Sequence, residues 1–242
     1  MAKTKKASAP ETPVTKNEAP RKRAILFELE NVAAGGRQVA FDVMKKIMAD
    51  KGVKLTPFLF SRYVLSGSLK KGLGEMLESL GKGRLSEEKL ASEVADEVKS
   101  ALLRASLTLD PGVKKLMARA SAEGVAVGVL SCLDRDTALQ LVSKLKLDGD
   151  ISTVLPYVCD GKAYPSADAW MKLGKMMSMS PGVCVVVATC SRSSKAALSS
   201  GMRCLVIPDK YTSFQDFGGA DYVTDTLDES AIDKIFSLLD ER

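Results

Sequence analysis

The feature that most limits what this chain can fold into is an alternation, from residue 110 to residue 207, of short apolar runs with amphipathic helical stretches. A helix is expected from Pro111 to Ala122, a strand over Val125 to Leu130, a helix from Asp134 to Leu145 and a short strand near Thr153. A helix from about Ala167 to Met177, a strand over Val183 to Ala188, a helix from Ser193 to Ser200 and a strand from Arg203 to Ile207 complete the series. Repeated βα units of this kind build a parallel sheet covered by helices on both faces. Upstream, Ala24-Ile25-Leu26-Phe27 reads as a fully buried strand that ends abruptly at Glu28-Leu29-Glu30-Asn31. The expected class is α/β, a three-layer arrangement around a parallel sheet.

Between about Phe41 and Ala105 the pattern is helical throughout. Phe41, Met44, Ile47 and Met48 share one helix face, and Leu90, Val94, Val98, Ala101 and Ala105 recur at helical spacing behind an N-cap at Ser86. These segments suggest a compact helical subdomain whose turns are marked by Gly67, Gly72, Gly74, Gly81 and Gly83. The expected division is therefore a tail at 1–23, an α/β core formed by 24–37 and 107–242, and a helical insert at 38–106.

In parallel α/β sheets the ligand sits outside the carboxyl ends of the strands. Glu28, Glu30, Ser131, Thr189 and Cys190 all fall at or just past such ends. The chain contains no histidine, which excludes His-based general catalysis, Ser-His triads and His-ligated zinc. Five cysteines without C-x-x-C spacing fit a reduced, cytoplasmic protein. Cys132 and Cys190 raise the idea of a thiol site. Without a histidine to activate a thiolate, both are expected to be small buried apolar residues.

Of 35 basic and 30 acidic residues, seven basic and two acidic ones lie in residues 1–23, which leaves 28 of each for the rest. The folded part is neutral and the excess of +5 belongs to the tail. That tail, rich in Ala, Pro, Thr and Lys, lacks apolar periodicity and is expected to be a disordered, solvated leader. The alternative is an electrostatic arm for nucleic acid or an acidic partner. No apolar stretch of the kind a secretory signal needs follows the positive start. The longest apolar run, near Val183 to Ala188, is far short of the roughly 20 residues that span a membrane.

Four stretches, in order, carry a more specific likeness: Pro111-Gly112-Val113 to Gly124-Val125; Val129-Leu130-Ser131; Gly161-Lys162-Ala163-Tyr164-Pro165 before Asp168-Ala169-Trp170; and Ala196-Ala197-Leu198-Ser199-Ser200-Gly201-Met202. With them, the chain from about Ala24 to Leu227 resembles the haloacid dehalogenase superfamily, in particular its phosphatase and phosphoglucomutase-like members with a helical cap inserted after the first motif. In active phosphatases of that family the first strand ends in Asp-x-Asp, one aspartate attacking phosphorus and the other serving as general acid and base. The matching positions here are Glu28 and Glu30, whose extra carbon displaces each carboxylate by roughly 1.5 Å, where about 1 Å can cost on the order of 100-fold in rate. Ser131 matches the family's phosphate-binding hydroxyl, although it could also cap the following helix. Lys162 matches the lysine that neutralises nucleophile and phosphoryl charge, or is an ordinary solvated loop lysine.

The resemblance also implies an acidic magnesium ligand where this chain reads Ala188-Thr189-Cys190-Ser191, without a carboxylate. Glu28 and Glu30 are then the side chains left to hold magnesium, a hard cation that favours carboxylate oxygen, and phosphoryl transfer leans on that ion. One reading follows as a catalytically impaired member, kept as a binding, regulatory or structural module with no cofactor. The other is a magnesium-dependent hydrolase of a small phosphorylated metabolite, the cap excluding bulky substrates. On the first reading Glu28 and Glu30 are unremarkable solvated carboxylates or simply repel a phosphate dianion. If the tail is an electrostatic arm, deleting residues 1–23 should abolish salt-sensitive retention on a polyanion column; unchanged retention would remove that role.

Overall fold

The computed structural model describes residues 22–65, 68–157 and 165–241. Six parallel strands form one sheet in the order β3-β2-β1-β4-β5-β6: β1 (Ala24–Glu28), β2 (Ala126–Ser131), β3 (Thr153–Pro156), β4 (Cys184–Ala188), β5 (Arg203–Val206) and β6 (Tyr222–Val223). The central strand β1 is buried along its whole length, paired with β2 from Ala24↔Ala126 to Glu28↔Leu130 and with β4 from Ala24↔Cys184 to Phe27↔Val187. Burial on both faces is why this strand is continuously apolar instead of alternating.

Alternate residues of β1 feed two separate cores. Ile25 and Phe27 pack with Val127, Val129, Val185 and Val187 against α5 (Pro111–Ala122), α6 (Arg135–Lys144) and α9 (Glu229–Asp240). Ala24 and Leu26 pack with Val186 and Val206 against Trp170 and Leu173 of α7 (Ala167–Met176) and Ala197 of α8 (Ser191–Ser199). The three layers are the expected helix, sheet, helix. Helix starts obey local capping rules: Asp110 accepts from the Gly112 N–H at 2.8 Å, and Asp134 caps α6 through the Thr137 N–H at 3.0 Å.

A third apolar cluster lies in the helices between β1 and α5. Phe41, Met44, Ile47 and Met48 of α1 (Gly36–Asp50) meet Leu73, Met76 and Leu77 of α3 (Leu69–Ser79) and Leu90 and Val94 of α4 (Glu87–Arg104), with Ser86 capping α4. A short turn, α2 (Pro57–Leu59), runs into a π-helical turn at Phe60–Val64. Tyr211, from the loop after β5, is buried in this cluster, and its ring meets Phe41 and Phe60 at centroid distances of 5.2 Å each. Its hydroxyl donates to Gln38 Oε1 at 2.9 Å, and its carbonyl accepts from Ser61 Oγ at 2.8 Å.

Two of the glycines expected at turns, Gly72 and Gly74, instead lie inside α3. At Gly72 the reason is a close approach: a Cβ there would stand 1.9 Å from the Tyr63 carbonyl oxygen. Gly72→Ala adds roughly 1 kcal/mol of helix propensity but forces backbone against backbone, an overpacking cost of about 1–3 kcal/mol or more. The clash should win, so Gly72→Ala is expected to lower stability in urea denaturation, and a gain would refute the tight packing.

Candidate functional site

The site is built at the carboxyl end of β1, where the chain turns through one π-helical turn, Leu29–Ala33, before entering α1. Within this turn Glu30 comes into electrostatic reach of Glu28, and the two line one cavity. Gly36 opens α1 against it, where a Cβ would stand 2.8 Å from Glu30 Cβ and 2.9 Å from its carbonyl oxygen. Both acids are enclosed, Glu28 at 1% and Glu30 at 3% exposure, so they are not the solvated carboxylates the bland reading expects.

Ser131, the last residue of β2, is fully buried and donates its hydroxyl to Glu30 Oε1, while accepting the Leu133 N–H at 3.1 Å. It does not cap α6, since Asp134 has that role. Asn31 Nδ2 donates to Glu28 Oε2 at 2.8 Å. The other carboxylate oxygens, Glu28 Oε1 and Glu30 Oε2, are buried with no hydrogen-bond partner among the described residues. Burial, only partly offset by the Ser131 hydrogen bond and backbone N–H groups, pushes the Glu30 carboxyl up to about 7.

Thr189, just past β4, faces a residue that sequence reading missed. Arg37, in the first turn of α1, is 6% exposed and donates to Thr189 Oγ1 at 2.7 Å and to Asp209 Oδ2 at 2.7 Å. Asp209 is itself held by the Tyr211 N–H at 2.8 Å, and Thr212 Oγ1 ties the same turn to the Thr189 carbonyl at 2.7 Å. Glu28, Cys190 and Asp209 lie within electrostatic reach of the Arg37 guanidinium. The available signals were the glycine pair before Arg37 and the position of Asp209 just past β5, but nothing in the sequence joins residues 172 positions apart.

Lys162 falls outside the described residues. Of the two cysteines, Cys190 is buried and its thiol is raised, first by desolvation and then by Glu28, against the lowering pull of Arg37. Cys132 corrects the expectation of burial, because it is exposed. A raised thiol is a poor nucleophile, so the geometry gives no support to a thiol site.

A cavity of about 250 Å³ opens between the sheet edge and the helices above it. Its floor includes Glu28, Glu30 and Arg37, and its walls are apolar, among them Phe60, Val64 and Leu102. The donor set does not fit a magnesium ion. No group of three or more His, Cys, Asp or Glu able to hold a metal exists among the described residues, the Thr189 hydroxyl already accepts from Arg37, and a guanidinium lies where a dication would feel it.

No family model matches the chain. A CBBY-like protein of Arabidopsis thaliana is 31% identical over 123 residues, which span 50% of this chain and 39% of that protein. Putative phosphatase YhcW of Bacillus subtilis is 20% identical over 202 residues, 81% of this chain and 89% of its own. The structure of CbbY from Rhodobacter sphaeroides in complex with phosphate superposes with a TM-score of 0.75 at 18% identity, covering 91% of this chain and 100% of that one. The fold is shared with solved haloacid dehalogenase-like proteins, one of them from Agrobacterium tumefaciens, which superposes with a TM-score of 0.75 at 18% identity and covers 91% of this chain and 100% of its own. Among the described residues no helix is long and apolar enough to cross a membrane.

Glu30 has a consequence for stability. Its folded value of about 7 lies above the ordinary 4.5, so the folded state holds this proton more tightly than the unfolded chain does. The resulting stabilisation is complete below the ordinary value and is lost as pH rises through about 7, in total roughly 3 kcal/mol at 1.36 kcal/mol per pH unit. Glu30→Gln cannot ionise, so between pH 4.5 and pH 8 it should gain roughly that much stability relative to the unaltered protein in urea titrations. Parallel pH curves for the two proteins would contradict it.

Proposed function

We propose that this chain is a catalytically impaired member of the haloacid dehalogenase fold group that acts as a binding or regulatory module. The observation that carries this reading is the buried guanidinium of Arg37, fixed between Thr189 and Asp209 within reach of Glu28. It supplies one permanent positive charge at a place where magnesium-dependent phosphoryl transfer needs a dication and its acidic ligands. Glu28 and Glu30, the positions that match nucleophile and acid–base group, are longer than aspartate and sit beside that cation; Asp209, the other nearby carboxylate, is taken up by Arg37, and no metal-holding group of three forms among the described residues. Ser131, the candidate phosphate-binding hydroxyl, is spent on Glu30.

A second reading keeps the chain as a phosphoric-monoester hydrolase of a small phosphorylated metabolite, with magnesium held by Glu28 and Glu30 and with Ser131 and Lys162 binding the phosphoryl group. It is favoured by the Glu30 carboxyl near 7, suited to proton transfer at neutral pH, and by a relative named as a putative phosphatase.

The impaired reading predicts no turnover of p-nitrophenyl phosphate above background with magnesium, and no calorimetric heat with millimolar magnesium. It further predicts that Glu28→Asp, Glu30→Asp, Thr189→Asp together bind magnesium poorly until Arg37→Ala is added. Removing a unit charge from beside a dication is worth several kcal/mol at an effective dielectric of about 20, a gain of about 100-fold or more in affinity. Magnesium-dependent turnover that disappears in Glu28→Gln would overturn the reading in favour of the hydrolase.

A further inference from the structure

The cavity above Glu28 and Glu30 has a chemistry that differs from a phosphate site. Its floor presents two carboxylate oxygens, Glu28 Oε1 and Glu30 Oε2, each buried and without a hydrogen-bond partner among the described residues. Buried acceptors left unsatisfied cost free energy, more so when they carry charge. The hydrogen bonds of the neighbouring cation, Arg37, go to Thr189 and Asp209 and none reaches either oxygen; its charge is set against Asp209, which leaves a monocation far less repelled here than a magnesium dication. Above this floor the walls are apolar: Ala40, Phe60, Val64, Leu65, Val98 and Leu102 line them. A phosphate dianion entering here would meet two acids, one arginine already engaged, and hydrocarbon. An occupant that matches both ends carries N–H donors with positive charge at one end and an apolar body at the other.

Resting on the reading of a non-catalytic binding module, we propose that this cavity binds a small primary amine with an apolar body, its ammonium donating to Glu28 and Glu30 and its hydrocarbon seated among the cap side chains. An ammonium has three donors, enough for both orphaned oxygens, and charge-assisted hydrogen bonds are the stronger kind. The volume of about 250 Å³ lies just under the roughly 300 Å³ at which sites for drug-sized ligands begin, so the occupant is small. Phe60, buried at 1% exposure, offers a wall that suits an aromatic or branched aliphatic body.

The test is calorimetry on the full chain at pH 8, above the Glu30 value of about 7, with 2-phenylethylamine, against 2-phenylethanol of nearly the same shape and against inorganic phosphate. The amine should bind at least tenfold more tightly than either, Glu28→Gln should weaken it at least tenfold, and Val64→Trp, which fills the cavity, should abolish it. If Glu28→Gln fails to fold by circular dichroism, the comparison of amine with alcohol on the unaltered protein still decides. Equal binding of amine and alcohol, tighter binding of phosphate, or an amine affinity unchanged in Glu28→Gln would each overturn the proposal. Amine binding that appears only in Lys162→Ala would assign the pocket to the chain's own ammonium and overturn an external ligand. Loss of the amine proposal with no magnesium-dependent turnover leaves the non-catalytic reading intact, whereas such turnover removes that reading whatever the amine does.

Discussion

Arg37 stands in the first turn of a helix, where the backbone dipole disfavours positive charge, and burial has removed most of its water. A guanidinium so placed persists only if its charge and donors are met, and Asp209 and Thr189 meet them. Three elements are thereby joined at one point: the start of α1, the end of β4 and the loop after β5. Arg37 is enclosed but Asp209 is 36% exposed, so water screens the pair from one side and removing Asp209 costs less than the roughly 3–5 kcal/mol of a fully buried pair. The cation also organises what lies around it, adding a positive charge within reach of Glu28 and Cys190 and holding the Thr189 hydroxyl in place.

The layered core was legible because its signals are local or periodic. An apolar run such as Ala24 to Phe27 has few alternatives to a doubly covered strand, and the helix starting at Pro111 carries its cap at Asp110 in the adjoining residue. Glu28, Glu30, Ser131 and Thr189 could be placed at strand ends from the same pattern, and the parallel order of β2, β1 and β4 brings those ends together.

What was not legible depends on pairs far apart in sequence or on one atom's clearance. Arg37 and Asp209 each look like an ordinary surface charge, and only the folded sheet makes them neighbours. Gly72 reads as a turn residue until Tyr63 is seen lying against it. Cys132 follows a buried serine yet is exposed, because the chain leaves the strand at Ser131. The π-helical turn after Glu28 has no periodic signature, so the nearness of Glu30 to Ser131 could be guessed only from kinship. The strand Tyr222–Val223 and the helix Glu229–Asp240 extend the sheet and its cover beyond the last element that the alternation marks.

Tyr211 belongs by connectivity to the sheet side of the molecule and by packing to the helices above it. A roof pinned from below by its own floor cannot swing on a hinge without dragging an aromatic ring out of hydrocarbon, a cost on the order of 1.5–3 kcal/mol for a side chain of that size. Any widening of the chamber beneath must therefore either meet that cost or come from local fraying of the helices that wall it, the part of such a fold where opening is least expensive.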